Sequence, residues 1–256
     1  MDALEIIGLP AFEDNYIWLL RRGGTVAVVD PGDAAPVLGY LAATGTRLCA
    51  VLATHHHGDH VGGIDAIVAH HAVPVYGPAA EDIDGVDHPL ADGDRFGLTD
   101  LGIDFEVLAV PGHTRGHIAY YRRGMLFCGD TLFGAGCGRL FEGTAAQMHA
   151  SLARIKALPA DTQIYCAHEY TQANLRFAAA VEPGNAATRS RIEATARLRN
   201  QGQPTVPSTL DLELATNPFL RWDAPAVAAA AQHRLGRPAA DPVEVFAAIR
   251  EWKNHF

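Results

Sequence analysis

The chain reads as an α/β body followed by an all-helical domain, on three observations. Through about residue 170 it is a series of short apolar or β-branched runs broken by turns. From there to residue 256 those runs cease, and Ala-rich stretches with helical spacing replace them. At 256 residues, 48% hydrophobic and 19% charged, the chain is long and apolar enough to bury a large core. The expected domains are 1–170 and 171–256.

In chain order, strands are expected at LEIIGL (4–9), YIWLL (16–20) and TVAVVD (25–30), with RRGG (21–24) marking a hairpin between the last two. LCAVLA (48–53) is the next strand. It runs into the loop THHHGDH (54–60) and then a helix-like run, VGGIDAIVAHH. Further strands are PVYG (74–77), DFEVLAV (104–110), HIAYY (117–121), MLFCGD (125–130) and QIYCAH (163–168). Between the last two lies TAAQMHASLARIKAL (144–158), a helix with Met148, Leu152, Ile155 and Leu158 on one stripe and Thr144 placed to cap it. The helical region contains NLRFAAAVE, AATRSRIEATARLRN, APAVAAAAQHRL and PVEVFAAIREWKN, separated by Pro-containing loops such as PTVPSTL (204–210) and NPF (217–219). Arg189, Arg191, Arg197 and Arg199 read as an exposed face of the second of these.

Composition excludes several classes of function. No apolar run approaches the roughly 18–20 residues of a membrane span, and MDALEIIGLP lacks the basic start of a signal peptide. With 20 Lys and Arg against 29 Asp and Glu, the net charge of −9 opposes binding along a phosphate backbone. Cys49, Cys128, Cys137 and Cys166 form no C-x-x-C pair, and three of them sit in apolar runs. Buried free thiols of that kind suit a reducing, cytoplasmic setting. The expected partner is a small molecule, neither nucleic acid nor membrane, and the chain is expected to act as a monomer.

The loop THHHGDH concentrates 4 of the chain's 13 histidines. In an extended segment side chains alternate, so His55 and His57 share a face while His56 points away. Gly58 permits a turn that swings Asp59 and His60 towards a second point. H-x-H-x-D-H therefore suits two adjacent cations better than one. Two imidazoles do not complete a zinc site, and three further donors follow strand-like runs: His113 in AVPGHTRGH, Asp130 in FCGDTLF and His168 in YCAHEYT. Each alone would be an ordinary loop residue. Together, in series with the histidine loop, they point to a metal centre.

THHHGDH, PGHTRGH, GDTLF and AHEYT resemble the successive metal motifs of the metallo-β-lactamase fold superfamily. The resemblance implies a four-layered αββα metallo-β-lactamase sandwich with a dinuclear site. It also implies that His55, His57 and His113 hold one metal and Asp59, His60 and His168 the other, with Asp130 bridging them beside a water. Two divalent metal ions, zinc first but iron or manganese also, can lower the pKa of a shared water and polarise a carbonyl. Asp59 is the candidate for orienting the resulting hydroxide. Asp30, ending VVD, is the candidate for bracing a ligand from outside, with Thr54 and Thr114 behind it. No G-x-S-x-G elbow offers a serine nucleophile.

GAGCGRLFEGT (134–144), EPGNAATRSRIEATARLR, QPTVPSTLDLELATNPFLR and DPVEVFAAIREWKN resemble the glyoxalase II family, so that the likeness spans nearly the whole chain. It implies hydrolysis of the thioester S-D-lactoylglutathione to D-lactate and glutathione, the second step of methylglyoxal detoxification. Glutathione carries two carboxylates, and Arg250 and Lys253, three apart on one helix face, could grip one of them. Arg139, Phe141 and Tyr170 match other substrate-contacting positions. Some members have Tyr where Phe141 stands, so a side-chain hydrogen bond is lost here, leaving the backbone amides of Gly138 to Phe141 to bind instead. Alternatives are a hydrolase of lactones or other thioesters, a mononuclear iron oxygenase of glutathione persulfide, and a nuclease, which the acidic balance disfavours.

Overall fold

A computed structural model describes residues 2–256 and resolves them into two compact units. The first runs to Ala109 and takes in Arg115–Arg122 and Leu126–Gly129. The second comprises Val110–Thr114, Arg123–Met125 and Asp130–Phe256.

The first unit opens with β1 (Glu5–Ala11), β2 (Asn15–Arg22) and β3 (Thr25–Val29), paired antiparallel. The expected RRGG turn is present, with Gly23 at φ 57. After α1 (Ala34–Thr44), β4 (Arg47–Leu52) joins parallel to β3. Two helices follow, α2 (Gly58–Val61) and α3 (Ile64–His70), and then β5 (Val75–Pro78) and β6 (His88–Leu90) extend the parallel half. One face of this six-stranded sheet packs Ile17, Leu19, Val26, Val28 and Val51 against Val37 and Leu41 of α1 and Ile64 and Ile67 of α3. Each such fully buried side chain contributes about 1.5–3 kcal/mol.

The strands β7 (Arg95–Leu98), β8 (Ile103–Ala109), β9 (Ile118–Arg122) and β10 (Met125–Gly129) form a second, antiparallel array. It lies against the other face of the first sheet. The Tyr120 hydroxyl donates to the Ala53 carbonyl at 2.7 Å, and the Phe96 and Tyr76 rings stack at 4.7 Å. Burial on both faces explains why β3 and β4 read as continuous apolar runs rather than alternating ones. Because β3 and β4 are parallel, their C-terminal ends emerge side by side, with Asp30 N–H donating to the Leu52 carbonyl at 2.8 Å. That edge carries Asp30, Thr54 and the histidine loop.

The second unit begins its regular structure with a small hairpin, β11 (Leu132–Phe133) and β12 (Gly136–Cys137). The predicted helix is α4 (Ala145–Lys156), and Thr144 and Gln147 close a reciprocal capping box at its start. After β13 (Gln163–Cys166) come α5 (Thr171–Val181) and α6 (Ala186–Asn200). The remainder is β14 (Ser208–Thr209), α7 (Leu210–Thr216), α8 (Pro225–Leu235) and α9 (Pro242–Asn254). The region after 170 is thus helical except for β14, which pairs with β13. The arginine cluster on α6 is an exposed face only in part. Arg189 and Arg197 are exposed, but Arg191 is buried in an ion pair with Glu213 at 2.6 Å, and the half-buried Arg199 lies 3.5 Å from Glu169.

Candidate metal centre

In the first unit, His55 is fully buried just past the end of β4, and its Nε2 lies 3.1 Å from His57 Nδ1. Tetrahedral ligands about 2.0–2.1 Å from a zinc ion stand about 3.3 Å from one another. The two nitrogens therefore already have the spacing of neighbours around one cation. Thr54 determines which nitrogen His55 presents. Its hydroxyl donates to Asp30 Oδ2 at 2.8 Å, so towards His55 Nδ1, 3.1 Å away, it accepts. The His55 proton then sits on Nδ1, and Nε2 keeps its lone pair.

Gly58 opens α2, and the turn brings Asp59 and His60 round as expected, with the His60 ring centred 4.0 Å from that of His55. His60 Nε2 lies 3.6 Å from Asp59 Oδ2, while its Nδ1 lies 3.0 Å from Asp30 Oδ2. Asp30 also accepts from the Thr54 amide at 2.7 Å. It sits at φ 53, a conformation strained for a residue with a side chain and held here by those contacts. Gly32 is required beside it, because a Cβ there would stand 1.8 Å from the Asp59 carbonyl oxygen.

Three residues of this unit escaped the sequence reading. Buried Asn15 donates from Nδ2 to Asp59 Oδ2 at 2.9 Å. His117, also buried, stacks on His55 with ring centroids 4.5 Å apart. Glu81 accepts from the His56 amide at 2.6 Å, and His56 Nδ1 lies 2.9 Å from the same oxygen. His56 thus turns to Glu81 while His57 turns to His55. The motif HTRGH was a signal for His117. Nothing in the sequence marks Asn15 or Glu81.

In the second unit, His113 Nδ1 donates to the Arg139 carbonyl at 2.8 Å, which leaves Nε2 as its lone-pair nitrogen. That Nε2 lies 3.3 Å from Asp130 Oδ2, and His168 Nε2 lies 3.3 Å from Asp130 Oδ1. One carboxylate oxygen therefore faces each imidazole. Gly138 allows the chain to close on this point, since a Cβ there would meet the Asp130 carbonyl oxygen at 1.9 Å.

A cavity of about 360 Å³ opens from Asp130 and His113, and Arg139, Phe141, Tyr170, Arg250 and Lys253 all line it. Phe141 is 60% exposed and its ring meets His113 edge-on at 5.3 Å, while Tyr170 stacks on His168 at 4.7 Å. Arg250 is more committed than its sequence position suggests. It is 6% exposed, and it donates to the Cys137 carbonyl at 2.9 Å and to Asn254 Oδ1 at 3.2 Å. Burial holds the Lys253 pKa below the ordinary lysine value, with Arg250, Arg176 and Arg139 adding to the effect. The backbone amides expected to compensate for Phe141 are partly spoken for. The Phe141 amide donates to the His113 carbonyl at 3.2 Å and the Gly138 amide to that of Thr131 at 3.2 Å.

The donor set fits divalent metal ions: imidazole nitrogens and carboxylate oxygens, held at ligand-to-ligand spacing, with no thiolate among them. Cysteine chemistry is disfavoured as well. The cysteines are free thiols, and burial pushes Cys166 up to about 12 and Cys49 to about 11.

Comparison with known proteins agrees with this picture. Residues 11–168 match the family profile described as the metallo-beta-lactamase superfamily, and residues 169–256 match that of the hydroxyacylglutathione hydrolase C-terminus. The chain is 55% identical to the hydroxyacylglutathione hydrolase of Methylobacillus flagellatus over 252 residues, covering 98% of this chain and 99% of that one. It is 56% identical to the enzyme of the same name from Pseudomonas aeruginosa over 259 residues, covering 99% and 100%. Among solved structures it resembles TTHA1623 in a di-iron-bound form, with a TM-score of 0.59 and 27% identity over 84% of this chain and all of that one. The fold is that of the metallo-β-lactamases, with a helical C-terminal region.

Proposed function

The chain belongs to the metallo-β-lactamase superfamily and, within it, to the hydroxyacylglutathione hydrolases; from that membership we propose that it hydrolyses S-D-lactoylglutathione to D-lactate and glutathione. It is a metal-dependent hydrolase. The observation that carries the reading is Asp130. Its two oxygens each stand 3.3 Å from an imidazole Nε2, at the mouth of a cavity lined by Arg139, Arg250 and Lys253.

Two ions are assigned, zinc by donor preference, with iron or manganese accommodated by the same ligands. From the family's metal motifs, His55, His57 and His113 are assigned to one ion and Asp59, His60 and His168 to the other, with Asp130 shared. Ions so held would supply Lewis acidity, which lowers the pKa of a shared water and polarises a carbonyl. Asp59, whose Oδ2 accepts from Asn15 Nδ2, would accept a hydrogen bond from a water at the site and orient it. Thr54 and the Arg139 carbonyl keep the protons of His55 and His113 on Nδ1, so that each presents its Nε2 lone pair, and Asp30 Oδ2 stands 3.0 Å from His60 Nδ1.

Substrate is held by charge. Arg250 and Lys253 take one glutathione carboxylate, and Arg139 adds a cation nearer His113. Tyr170 and Phe141 flank the entry as apolar walls, and Phe141 contributes no hydroxyl. Attack at the carbonyl carbon releases glutathione thiolate, so no nucleophilic side chain is needed. The matched ranges support a catalytic domain at 1–170 and a helical substrate-binding domain at 171–256. No helix among the described residues is long and apolar enough to cross a membrane. Four free thiols, three of them buried, support a cytoplasmic setting, and we assign a monomer.

The test is direct. Purified protein is supplied with divalent metal and S-D-lactoylglutathione, and free thiol is followed. Parallel samples receive a lactone, nitrocefin, and glutathione persulfide under oxygen. Thiol release far above the other activities is expected. Release that is negligible beside any one of them would sink the assignment.

A further inference from the structure

Glu213 has no exposed surface, and no step above uses it. A carboxylate so placed persists only when paired and hydrogen-bonded. Arg191 Nη2 donates to its Oε1 at 2.6 Å and Ser208 Oγ to the same oxygen at 2.7 Å. Its Oε2 accepts from Asn217 Nδ2 at 3.0 Å and from the backbone amide of Ala135 at 2.8 Å. Three of these partners lie in the helical tail. Ala135 does not: it is the tip of the β11–β12 hairpin and adopts φ 54, in the left-handed region.

The hairpin is pinned on both sides of that tip. Asn217, oriented by Glu213, also donates to the carbonyls of Phe133 at 3.2 Å and Gly136 at 2.9 Å. Asn174 Nδ2 donates to the Gly134 carbonyl at 3.1 Å. From β12 the connection continues into the cavity, where the Cys137 carbonyl accepts from Arg250 Nη1. Phe133 and Cys137 themselves line that cavity.

Stability alone is a poor account of this arrangement, because apolar residues of similar volume often replace a buried ion pair at no cost. We propose that Glu213 is a positioning residue for the substrate cavity: it locks the Leu132–Cys137 hairpin and, through the Cys137 carbonyl, sets where the Arg250 guanidinium stands. The inference rests on this cavity being the thioester site.

The test is a double-mutant cycle with Glu213→Gln and Arg250→Ala, read as kcat and KM for S-D-lactoylglutathione. Glu213→Gln is expected to raise KM about three- to tenfold with kcat within about twofold, the range of one ordinary hydrogen bond lost. In the Arg250→Ala background it is expected to raise KM no further, since the two act through one contact. Amide exchange in the 131–140 segment should quicken in Glu213→Gln, a readout that needs no substrate. Ser208→Ala, which loosens Glu213 from the tail side only, should lower the melting temperature and leave KM alone. Should Glu213→Gln not fold, Glu213→Asp keeps a buried carboxylate beside Arg191 while withdrawing it from the Ala135 amide. It should give the same KM rise. An unchanged KM in a folded variant, unchanged exchange, or a KM effect that multiplies with that of Arg250→Ala overturns the proposal. Wild-type protein that releases no thiol overturns the thioesterase reading instead, and exchange at the hairpin still decides whether Glu213 locks it.

Discussion

At the scale of the residue, the histidine loop divides its labour by backbone alternation. His55 and His57 face each other at 3.1 Å, and His56 between them turns to Glu81. Substitution should separate the two roles. His57→Asn removes a donor and is expected to lose close to one equivalent of bound metal, whereas His56→Asn should retain nearly the wild-type content. Elemental analysis of the purified variants decides it, and equal losses would contradict the division. The alternation was legible because it is local, with period two over three residues. The residues that brace the ligands were not. Asn15 reaches Asp59 across 44 positions and Glu81 reaches His56 across 25, and no local spacing announces a hydrogen bond that only the fold brings about. Asp30 was legible as a candidate because it ends a strand. Its left-handed φ was not, since only the convergence of Thr54 and His60 on one carboxylate selects that conformation.

Elements follow the same logic. Strands buried on both faces, such as β3 and β10, were readable as apolar runs because burial leaves no polar positions to interrupt them. Short strands were not. The β11–β12 hairpin is two residues a side in a glycine-rich stretch, and what fixes it is Glu213 and Asn217, some 80 positions later. The exposed face expected of α6 failed at Arg191 for a related reason, because a buried Glu213 draws it inward. Helix α4 was legible from both stripe and cap. Met148, Leu152 and Ile155 are fully buried, and Thr144 accepts from the Gln147 amide at 3.2 Å. Loss of that cap has a known scale. Thr144→Ala should destabilise the protein by about 1 kcal/mol, measurable by urea denaturation with an unchanged m-value. A loss near zero would mean that Gln147 alone holds the helix start.

For the whole molecule, the proposed ligands come from four separate segments, around residues 55–60, 113, 130 and 168. An unfolded chain offers no such assembly, so metal should bind the folded form far better and stabilise it by mass action. At a free ion concentration 100 times the dissociation constant, one site contributes about 2.7 kcal/mol. For a chain of this size each kcal/mol moves the melting temperature by about 2–4 °C. Thorough chelation should therefore abolish thioester hydrolysis and lower the melting temperature by roughly 5–10 °C. The deficit should close progressively as free zinc, iron(II) or manganese is restored, because the shift depends on free ion rather than on total protein. The physical reason lies in the spacing already seen. Asp130 with His113 and His168, and His55 with His57, hold nitrogen and oxygen donors about 3 Å apart, the separation of neighbouring ligands around one cation. Protein shown by elemental analysis to be metal-free, yet melting at the same temperature and turning over at full rate, would falsify the metal centre.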